Sequence, residues 1–340
     1  MYSKLFNSIF YLTPLFLING PFFPDLSACI LGIFAIYIFK KKLIKISSTE
    51  INIFFFTLLI FNIYIFLRSS FSQDYLLSYE SSLFYFRFTL YCFAIIYLYH
   101  LDNNILSKFC FIVVISILLL SLDSIFEFIF GFRLLGNNSP GFEYGRISSF
   151  FVDELIMGSF ISKMLPFFVI FFHLKFLENQ KKILLFIFIF ILFLVFISVY
   201  LSGERTALFN TLIIYSMLIL SITNINLIKK LISLLIFYLT IFIFIFSYTN
   251  SHSDRIIKNT YKQLFVSNNS FNYFSLDHEA HLKSALSMFN SNMIFGHGSK
   301  MFRKLCSDKK YSYFVLSTNE VMSYEKSIDK IKFKNGCSTH

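Results

Sequence analysis

Two arginines, Arg146 and Arg205, have the chemistry of an anion-binding pair. Arg146 lies in the stretch LLGNNSPGFEYGRISSFFVDE (134–154), which is rich in Gly, Asn, Ser and Pro, and Arg205 lies in LSGERTA, between two apolar runs. A guanidinium group is a planar fork that binds phosphate oxygens in pairs, which an ammonium group does not do. Two such groups at one depth predict a clamp for a diphosphate. The alternative for each arginine is an ordinary interfacial anchor for its helix.

Three further charged residues lie inside apolar runs. Lys163 is near the middle of one run, and Asp123 and Glu127 share one face of another because they are four positions apart. A charge at the centre of a bilayer costs roughly 2.5 to 3.5 kcal/mol, so these groups should face the protein interior or a cavity. We expect Lys163 to pair with one of the two carboxylates. The alternative is that Lys163 contacts the phosphate of a bound lipid.

Neither a metal site nor a nucleotide site is predicted. The sequence HEAH at 278–281 lacks the HExxH spacing, which places two imidazoles on one face of a helix. GHGS at 296–299 has too few glycines and no preceding strand for a phosphate-binding loop, so a turn is enough to explain it. We therefore expect the protein to work without a metal ion or a cofactor.

The composition is that of a membrane protein. Hydrophobic residues make up 56% of the 340 residues, charged residues make up 14%, and the mean hydropathy is +0.67. This is more apolar than the core of a soluble domain can accommodate, so a lipid bilayer is the predicted surrounding. The net charge of +11 is scattered between the apolar runs and over a polar tail, without an RNA- or DNA-binding motif. Lipid head groups and phosphates are the expected anions, and no nucleic-acid partner is expected.

Nine apolar runs predict about nine transmembrane helices, each of which needs about 20 residues. The second run is short and could form a re-entrant hairpin with the first, which would leave the parity of the later helices unchanged. The predicted fold is an all-α integral membrane protein with a transmembrane bundle over 1–249 and a long extracytoplasmic C-terminal segment over 250–340. The runs are residues 5–19, 26–39, 51–67, 83–99, 109–130, 155–172, 183–201, 206–222 and 231–248.

The basic residues of the short loops indicate how the bundle is oriented, because Lys and Arg near helix ends are retained in the cytoplasm. With the N-terminus inside the cell, ten lysines fall on the cytoplasmic face. The opposite loops contain no lysine, and the basic residues that they contain or border are all arginines. Positive charge is disfavoured in the extracytoplasmic loops, so arginines there indicate a function, and phosphate binding is one that a guanidinium group suits. The lysines are Lys40, Lys41, Lys42, Lys45, Lys108, Lys175, Lys181, Lys182, Lys229 and Lys230, and the arginines are Arg68, Arg87, Arg133, Arg146 and Arg205.

Two of the five cysteines, Cys306 and Cys337, lie in the polar tail, whereas the other three lie in apolar runs. Helix parity places the tail outside the cytoplasm, where an oxidising compartment favours disulfides. A bridge between Cys306 and Cys337 is therefore predicted, with a stabilisation of about 3 to 4 kcal/mol. The alternative is two unpaired surface thiols.

Four stretches, taken in order, resemble the O-antigen ligase and polymerase superfamily of bacterial envelope membrane proteins. Together they cover about the second half of the chain, and their order is more specific than any one of them. The helices before residue 130 are similar only in number and hydrophobicity. The stretches are LLGNNSPGFEYGRISSFFVDELIMGSFISKMLP, YLSGERTALFN, HEAHLKSALSMFNSNMIFGHGSKMFRKLC and NGCSTH.

The resemblance implies transfer of a glycan from undecaprenyl diphosphate to an acceptor hydroxyl of a glycan or lipid A core, on the periplasmic face of the bacterial inner membrane. Arg146 and Arg205 match the positions that would hold the diphosphate. His340 falls in the motif that carries the general base, and imidazole suits that task near neutral pH. Secondary candidate residues are Lys163, His281 and Arg303.

Three alternatives to a ligase are compatible with the sequence. An O-antigen polymerase would use the same charges. A transporter or flippase for envelope lipids would use Lys163 with Asp123 and Glu127 as a pathway at the membrane midplane. In the family the last motif continues from Thr-His into Pro-His-Asn and further helices, whereas this sequence ends at His340. A truncated reading frame, and with it an inactive remnant, is the third expectation.

Overall fold

The computed structural model describes residues 2–40, 49–134, 136, 146–151, 154–179, 182–221, 226–247, 256, 260–261, 265–266, 270–271, 276–308 and 310–311. These residues form helices and their connections, with one antiparallel pair of two-residue strands, β1 Phe265–Val266 and β2 Ser270–Phe271. The predicted all-α class is confirmed. The helices are α1 Tyr2–Ile18, α2 Phe22–Lys40, α3 Thr49–Ser69, α4 Tyr75–Leu101, α5 Ile105–Phe130, α6 Met157–Asn179, α7 Lys182–Leu201, α8 Arg205–Ser221, α9 Leu227–Ser247, α10 Leu276–Ser291 and α11 Met301–Leu305.

Among the described residues, six helices are long and apolar enough to cross a membrane, so the chain is a multi-pass membrane protein. Each predicted apolar run overlaps one of the helices α1 to α9 over most of its length. Two of these, α1 and α8, have 17 residues each and are shorter. The number of nine spans therefore stays a prediction. The six spans are Phe22–Lys40, Asn52–Ser69, Tyr75–Leu101, Ile105–Phe130, Met157–Lys175 and Lys182–Leu201.

The second helix is longer than its apolar run predicts. The run covers 26–39, whereas α2 has 19 residues and begins at Phe22. Phe22 and Phe23 precede Pro24, and proline is tolerated in the first turn of a helix because the N–H that it lacks has no partner there. The helix therefore begins before the proline and reaches spanning length.

Packing divides the chain into two compact units. Unit 1 comprises residues 1–27 and 98–259, with α1 and α5 to α9. Unit 2 comprises residues 28–97 and 260–340, with α3, α10, α11 and most of α2 and α4. The predicted boundary near residue 249 separates the transmembrane bundle from the extracytoplasmic segment. It is not a boundary between packing units, and it stays a prediction.

The helix α5 forms the centre of unit 1. It packs against α1, α6 and α7, and its side chains Ile117 and Leu120 are fully buried together with Ile161 and Leu165 of α6 and Val195 of α7. Close packing of such aliphatic side chains leaves little freedom for the helices to shift. The ends of α5 and α7 are therefore held in fixed positions.

Hydrogen bonds show which helix ends lie together within unit 1. At one end, Glu127 of α5 accepts from Ser149, and Glu204 in the α7–α8 turn accepts from the start of α6. At the other end, Lys230 Nζ donates to the Leu220 carbonyl at the end of α8, over 2.7 Å. Although Lys163 lies within α6, three arginines of unit 1 lie at the first end and five of its lysines at the second, in agreement with the predicted split. They are Arg133, Arg146 and Arg205 at the first, and Lys108, Lys175, Lys182, Lys229 and Lys230 at the second.

In unit 2 the segment that follows α10 packs onto the turn between α3 and α4. Arg68, at the end of α3, donates through Nε to the Phe295 carbonyl over 3.0 Å and through Nη2 to the Gly296 carbonyl over 2.6 Å. Lys304 of α11 forms an ion pair with Asp74, and this contact holds the pKa of the Asp74 carboxyl below its usual range. Charged side chains of α3 and α11 therefore fix the turn that contains GHGS.

Gly298 lies where this turn comes closest to the start of α4. Its φ of +105° is in the region that favours glycine, and an added Cβ would lie 2.8 Å from Ser72 Cβ and 3.0 Å from Ser78 Oγ. Ser78 Oγ is already hydrogen-bonded to the hydroxyls of Ser69 and Ser299, at 3.0 and 3.1 Å. Glycine is therefore required both by the backbone conformation and by the lack of space.

We predict that Gly298→Ala lowers the melting temperature of the detergent-purified protein more than Gly20→Ala does. Gly20 has a similar φ of +95° but nothing within 4 Å of an added Cβ. Both variants carry the conformational cost, and only Gly298→Ala adds overpacking, which costs about 1 to 3 kcal/mol. Equal melting temperatures for the two variants would show that the close contact at Ser72 has no energetic weight.

Candidate active site

Arg146 is held against the start of α6. Its Nη2 donates to the main-chain carbonyl of Leu155 over 2.6 Å, and the guanidinium is half-buried. Leu155 lies two residues before Met157, the first residue of α6. The contact therefore brings Arg146, at the start of the described part 146–151, to the helix that the long loop leads into.

The turn between α7 and α8 reaches the same helix start. Gly203, with a φ of +65°, lets the chain reverse within the three residues that separate α7 from α8. The Glu204 carboxylate then accepts hydrogen bonds from the amides of Gly158 at 2.9 Å and Ser159 at 3.1 Å, and from the Ser159 hydroxyl. The first amides of a helix have no partner within it, and its N-terminus carries partial positive charge. Glu204 therefore caps α6 from another connection.

A glycine in α6 makes this approach possible. A Cβ added at Gly158 would overlap Ser202 Oγ, and it would lie 3.1 Å from Ser202 Cβ and 3.2 Å from Ala207 Cβ. Any larger residue would push the α7–α8 turn away from the first turn of α6. Gly158 thus sets how closely Glu204, and the residue after it, can come to the helix start.

Arg146 and the residue that precedes Arg205 are therefore both bound to one short stretch of backbone. Arg146 contacts Leu155, and Arg205 directly follows Glu204, which binds Gly158 and Ser159. Both arginines are partly exposed. Two guanidinium groups and the N-terminus of α6 are the groups at this end of unit 1 that could bind an anion, and they lie beside the carboxylates of Glu204 and Glu154.

The expected ion pair between Lys163 and a carboxylate of α5 is wrong. Asp123 Oδ2 accepts from the Ser149 hydroxyl over 2.6 Å, and Asp123 Oδ1 accepts from the Leu134 amide over 2.9 Å. Glu127 Oε2 accepts from the Ser149 amide over 2.7 Å. Lys163 is exposed on α6, and in the described part of the chain it forms no ion pair with either carboxylate. The loop offers hydrogen-bond donors that satisfy both fully buried carboxylates without a cation.

These carboxylates instead hold the loop that carries Arg146. Ser149 has a φ of +52°, which is uncommon for a residue with a side chain. Its amide is bound to Glu127 and its hydroxyl to Asp123, and these two bonds compensate the unfavourable conformation. The sequence predicts that the two carboxylates face the interior, but it does not predict that they bind the loop. Their partners are in irregular backbone, which has no sequence periodicity to indicate the contact.

The remaining predicted residues lie in unit 2 or outside the described residues. The His281 ring is half-buried, with its centroid 4.4 Å from that of Phe302, and Arg303 is exposed on α11. Cys306 is disulfide-bonded. Its predicted partner Cys337 and the predicted base His340 lie outside the described residues. The catalytic and binding roles of all these residues stay predictions.

Comparison with known protein families identifies the larger part of the C-terminal half. Residues 163–325 match the family model described as O-antigen ligase. This region is an O-antigen ligase domain. The match confirms the predicted superfamily and associates the chain with glycan transfer from lipid-linked donors. Comparison with curated proteins and with solved structures finds no match.

The O-antigen ligase domain contains only part of the predicted site. Arg205, His281, Arg303 and Lys163, its first residue, fall inside the matched region. Arg146 lies before it, so its place at the site depends on the contact with Leu155 rather than on the family match. The bonds from Glu204 to Gly158 and Ser159 join the domain to the stretch just before it.

We predict that Glu204→Ala destabilises the protein by about 0.5 to 2 kcal/mol, the range for the loss of a helix N-cap. The variant leaves the amides of Gly158 and Ser159 without the carboxylate that they bind. Thermal unfolding in detergent measures the loss. Glu154→Ala is the matched control, because this exposed acidic residue precedes the same helix and its only hydrogen bond shown is made by its backbone amide. A loss no larger than that of Glu154→Ala would argue against the cap.

Proposed function

We propose that this protein transfers a glycan from undecaprenyl diphosphate to an acceptor hydroxyl at the periplasmic face of the bacterial inner membrane. The observation that carries the proposal is that Arg146, and Glu204 next to Arg205, are both bound at the start of α6 in a chain with an O-antigen ligase domain. A lipid diphosphate is the anion that a membrane-bound pair of guanidinium groups fits best.

In the proposed reaction, the bond between the anomeric carbon of the donor sugar and the diphosphate oxygen breaks while the acceptor oxygen bonds to that carbon. The acceptor proton passes to a general base, for which His340 is the candidate, and undecaprenyl diphosphate leaves with its electron pair. Arg146 and Arg205 neutralise the charge that grows on the leaving oxygen. A preorganised donor of this kind contributes about 2.7 to 4 kcal/mol to transition-state stabilisation.

The hydrogen bonds around the arginines supply the preorganisation that this chemistry needs. Glu127 and Asp123 hold the backbone and hydroxyl of Ser149, three residues after Arg146. Glu204, the residue before Arg205, is bound to the first amides of α6. These bonds fix the backbone beside both arginines, which is the arrangement that preorganised charge stabilisation requires.

The charge distribution in unit 1 supports a periplasmic site. The arginines lie at the helix ends opposite the lysines, and lysines near helix ends are retained in the cytoplasm. A polymerase would use the same clamp with a growing glycan as the acceptor, so the arginines favour both reactions equally. The transport hypothesis depended on Lys163 acting together with Asp123 and Glu127. These carboxylates bind the loop instead of Lys163, so the structure does not support that arrangement.

We predict that Arg205→Lys and Arg146→Lys each reduce the rate of glycan transfer about 100-fold or more, since lysine keeps the charge but loses the planar fork. The assay uses the full chain in proteoliposomes with a lipid-linked donor and a lipid A core acceptor, and follows the product on gels. Lys182→Gln, at the opposite helix end, is the control and should retain the parent rate. Unchanged transfer in both arginine variants would refute the clamp.

We predict that Thr206→Cys reacts with a membrane-impermeant maleimide from the periplasmic side of intact cells, whereas Lys182→Cys reacts only after the membrane is opened. Both positions are exposed, and they lie at opposite ends of the bundle in unit 1. The parent chain gives the background from its own cysteines. Labelling of Lys182→Cys from outside, with protection of Thr206→Cys, would place the arginines in the cytoplasm and end the proposal.

A further inference from the structure

Unit 2 contains a polar pocket that the proposed reaction does not use. Its volume is about 450 Å³, within the range of small-molecule sites, and it lies between the α3–α4 turn and the segment from the end of α10 to just after α11. Arginine, lysine, histidine, amide and aromatic side chains all contribute to its walls. The residues that bear on its chemistry are Arg68, Gln73, His297, Lys310 and Tyr311.

His297 presents an acceptor to this pocket. Its Nε2 is 3.0 Å from the Met288 carbonyl, which can only accept, so Nε2 carries a proton. It also lies 2.8 Å from Ser291 Oγ. In the neutral imidazole Nδ1 is then an acceptor, and no described residue donates to it. The ring is fixed by the end of α10 while one of its nitrogens is left for a ligand.

Tyr311 is oriented by the same serine. The Ser291 hydroxyl donates to the Met288 carbonyl over 2.7 Å, so the Tyr311 hydroxyl, 3.2 Å away, must donate to Ser291. The lone pairs of the tyrosine oxygen stay available as acceptors. The ring itself is buried against α10 and α11, where it meets the His297 ring edge to face with centroids 5.8 Å apart.

Donors line the other side of the pocket. Arg68 uses Nε and Nη2 on the carbonyls of Phe295 and Gly296, and its Nη1 makes no hydrogen bond within the described part of the chain. Lys310 is exposed, with its Nζ 5.3 Å from the centroid of the Tyr311 ring. Gln73 is exposed on the α3–α4 turn and can both donate and accept.

A sugar ring matches this combination of groups. Its hydroxyls donate and accept at once, and its C–H faces pack on aromatic rings, whereas a lipid chain satisfies neither the donors nor the acceptors. We propose that the pocket binds a saccharide portion of the glycans that the protein joins. The inference rests on the proposed function for the source of the saccharide, but the pocket and its bonds belong to unit 2 alone.

The test measures binding of two free oligosaccharides to the detergent-purified full chain by ligand-observed NMR titration. One is the donor glycan released from its lipid diphosphate, and the other is the core oligosaccharide released from lipid A. Binding of either one supports the proposal and assigns the pocket to the donor or to the acceptor. Because neither probe carries the diphosphate, the arginine clamp does not contribute to the result.

The double variant Gln73→Ala, Lys310→Ala should weaken binding about tenfold or more, which corresponds to the loss of hydrogen bonds from an amide and a charged group. Both residues are exposed, so the melting temperature should stay that of the parent. The matched control is the double variant Asn290→Ala, Lys283→Ala, which removes an amide and an ammonium group from α10 outside the pocket. It should bind like the parent.

His297→Phe adds a test of the histidine, since it keeps an aromatic ring but removes Nδ1 together with the Nε2 that binds Met288 and Ser291, and it should also lose about tenfold in affinity. Absence of binding for both oligosaccharides, or equal affinity in the pocket and control variants, would overturn the proposal. If either occurs while Arg205→Lys still abolishes transfer, the proposed function stands and only the saccharide pocket falls.

Discussion

The hydrogen bonds between the Glu204 carboxylate and the first amides of α6 are the contact on which the geometry of the site depends. They bring the α7–α8 turn, and with it Arg205, to the helix start that also receives Arg146. The first amides of a helix have no partner within it, and a buried amide left without one, as at Gly158, is costly. The contact therefore both stabilises α6 and sets where the two guanidinium groups lie.

The same principle recurs wherever the backbone of this protein leaves the helical state. Asp123 and Glu127 satisfy the irregular loop after α5, and Arg68 satisfies two carbonyls of the turn after α10. In each case a charged side chain at or near the end of a helix binds main-chain groups of a neighbouring connection. Irregular backbone near a membrane persists only when such partners exist, so the charged residues of this apolar chain are concentrated around its connections.

Most of the helical architecture could be predicted from the sequence. Apolar runs predict spanning helices directly, because insertion in lipid depends on local composition. Every predicted run overlaps one helix. The extension of α2 before Pro24 was missed, since a proline at a run boundary reads as a break although the first helical turn tolerates it. The superfamily was predicted from four ordered stretches, and the match over 163–325 agrees with it.

In the candidate site, the sequence identified the arginines, whereas only the structure showed the contacts that hold them. Arg146 and Arg205 could be identified from the sequence, because the residue type in each loop is known from it and arginine in loops without lysine indicates phosphate binding. The partners of Asp123 and Glu127, the cap by Glu204 and the need for Gly158 were decided by the tertiary structure. Their hydrogen-bond donors are backbone amides, which every residue possesses, so only the folded path of the chain selects which of them a buried carboxylate will meet.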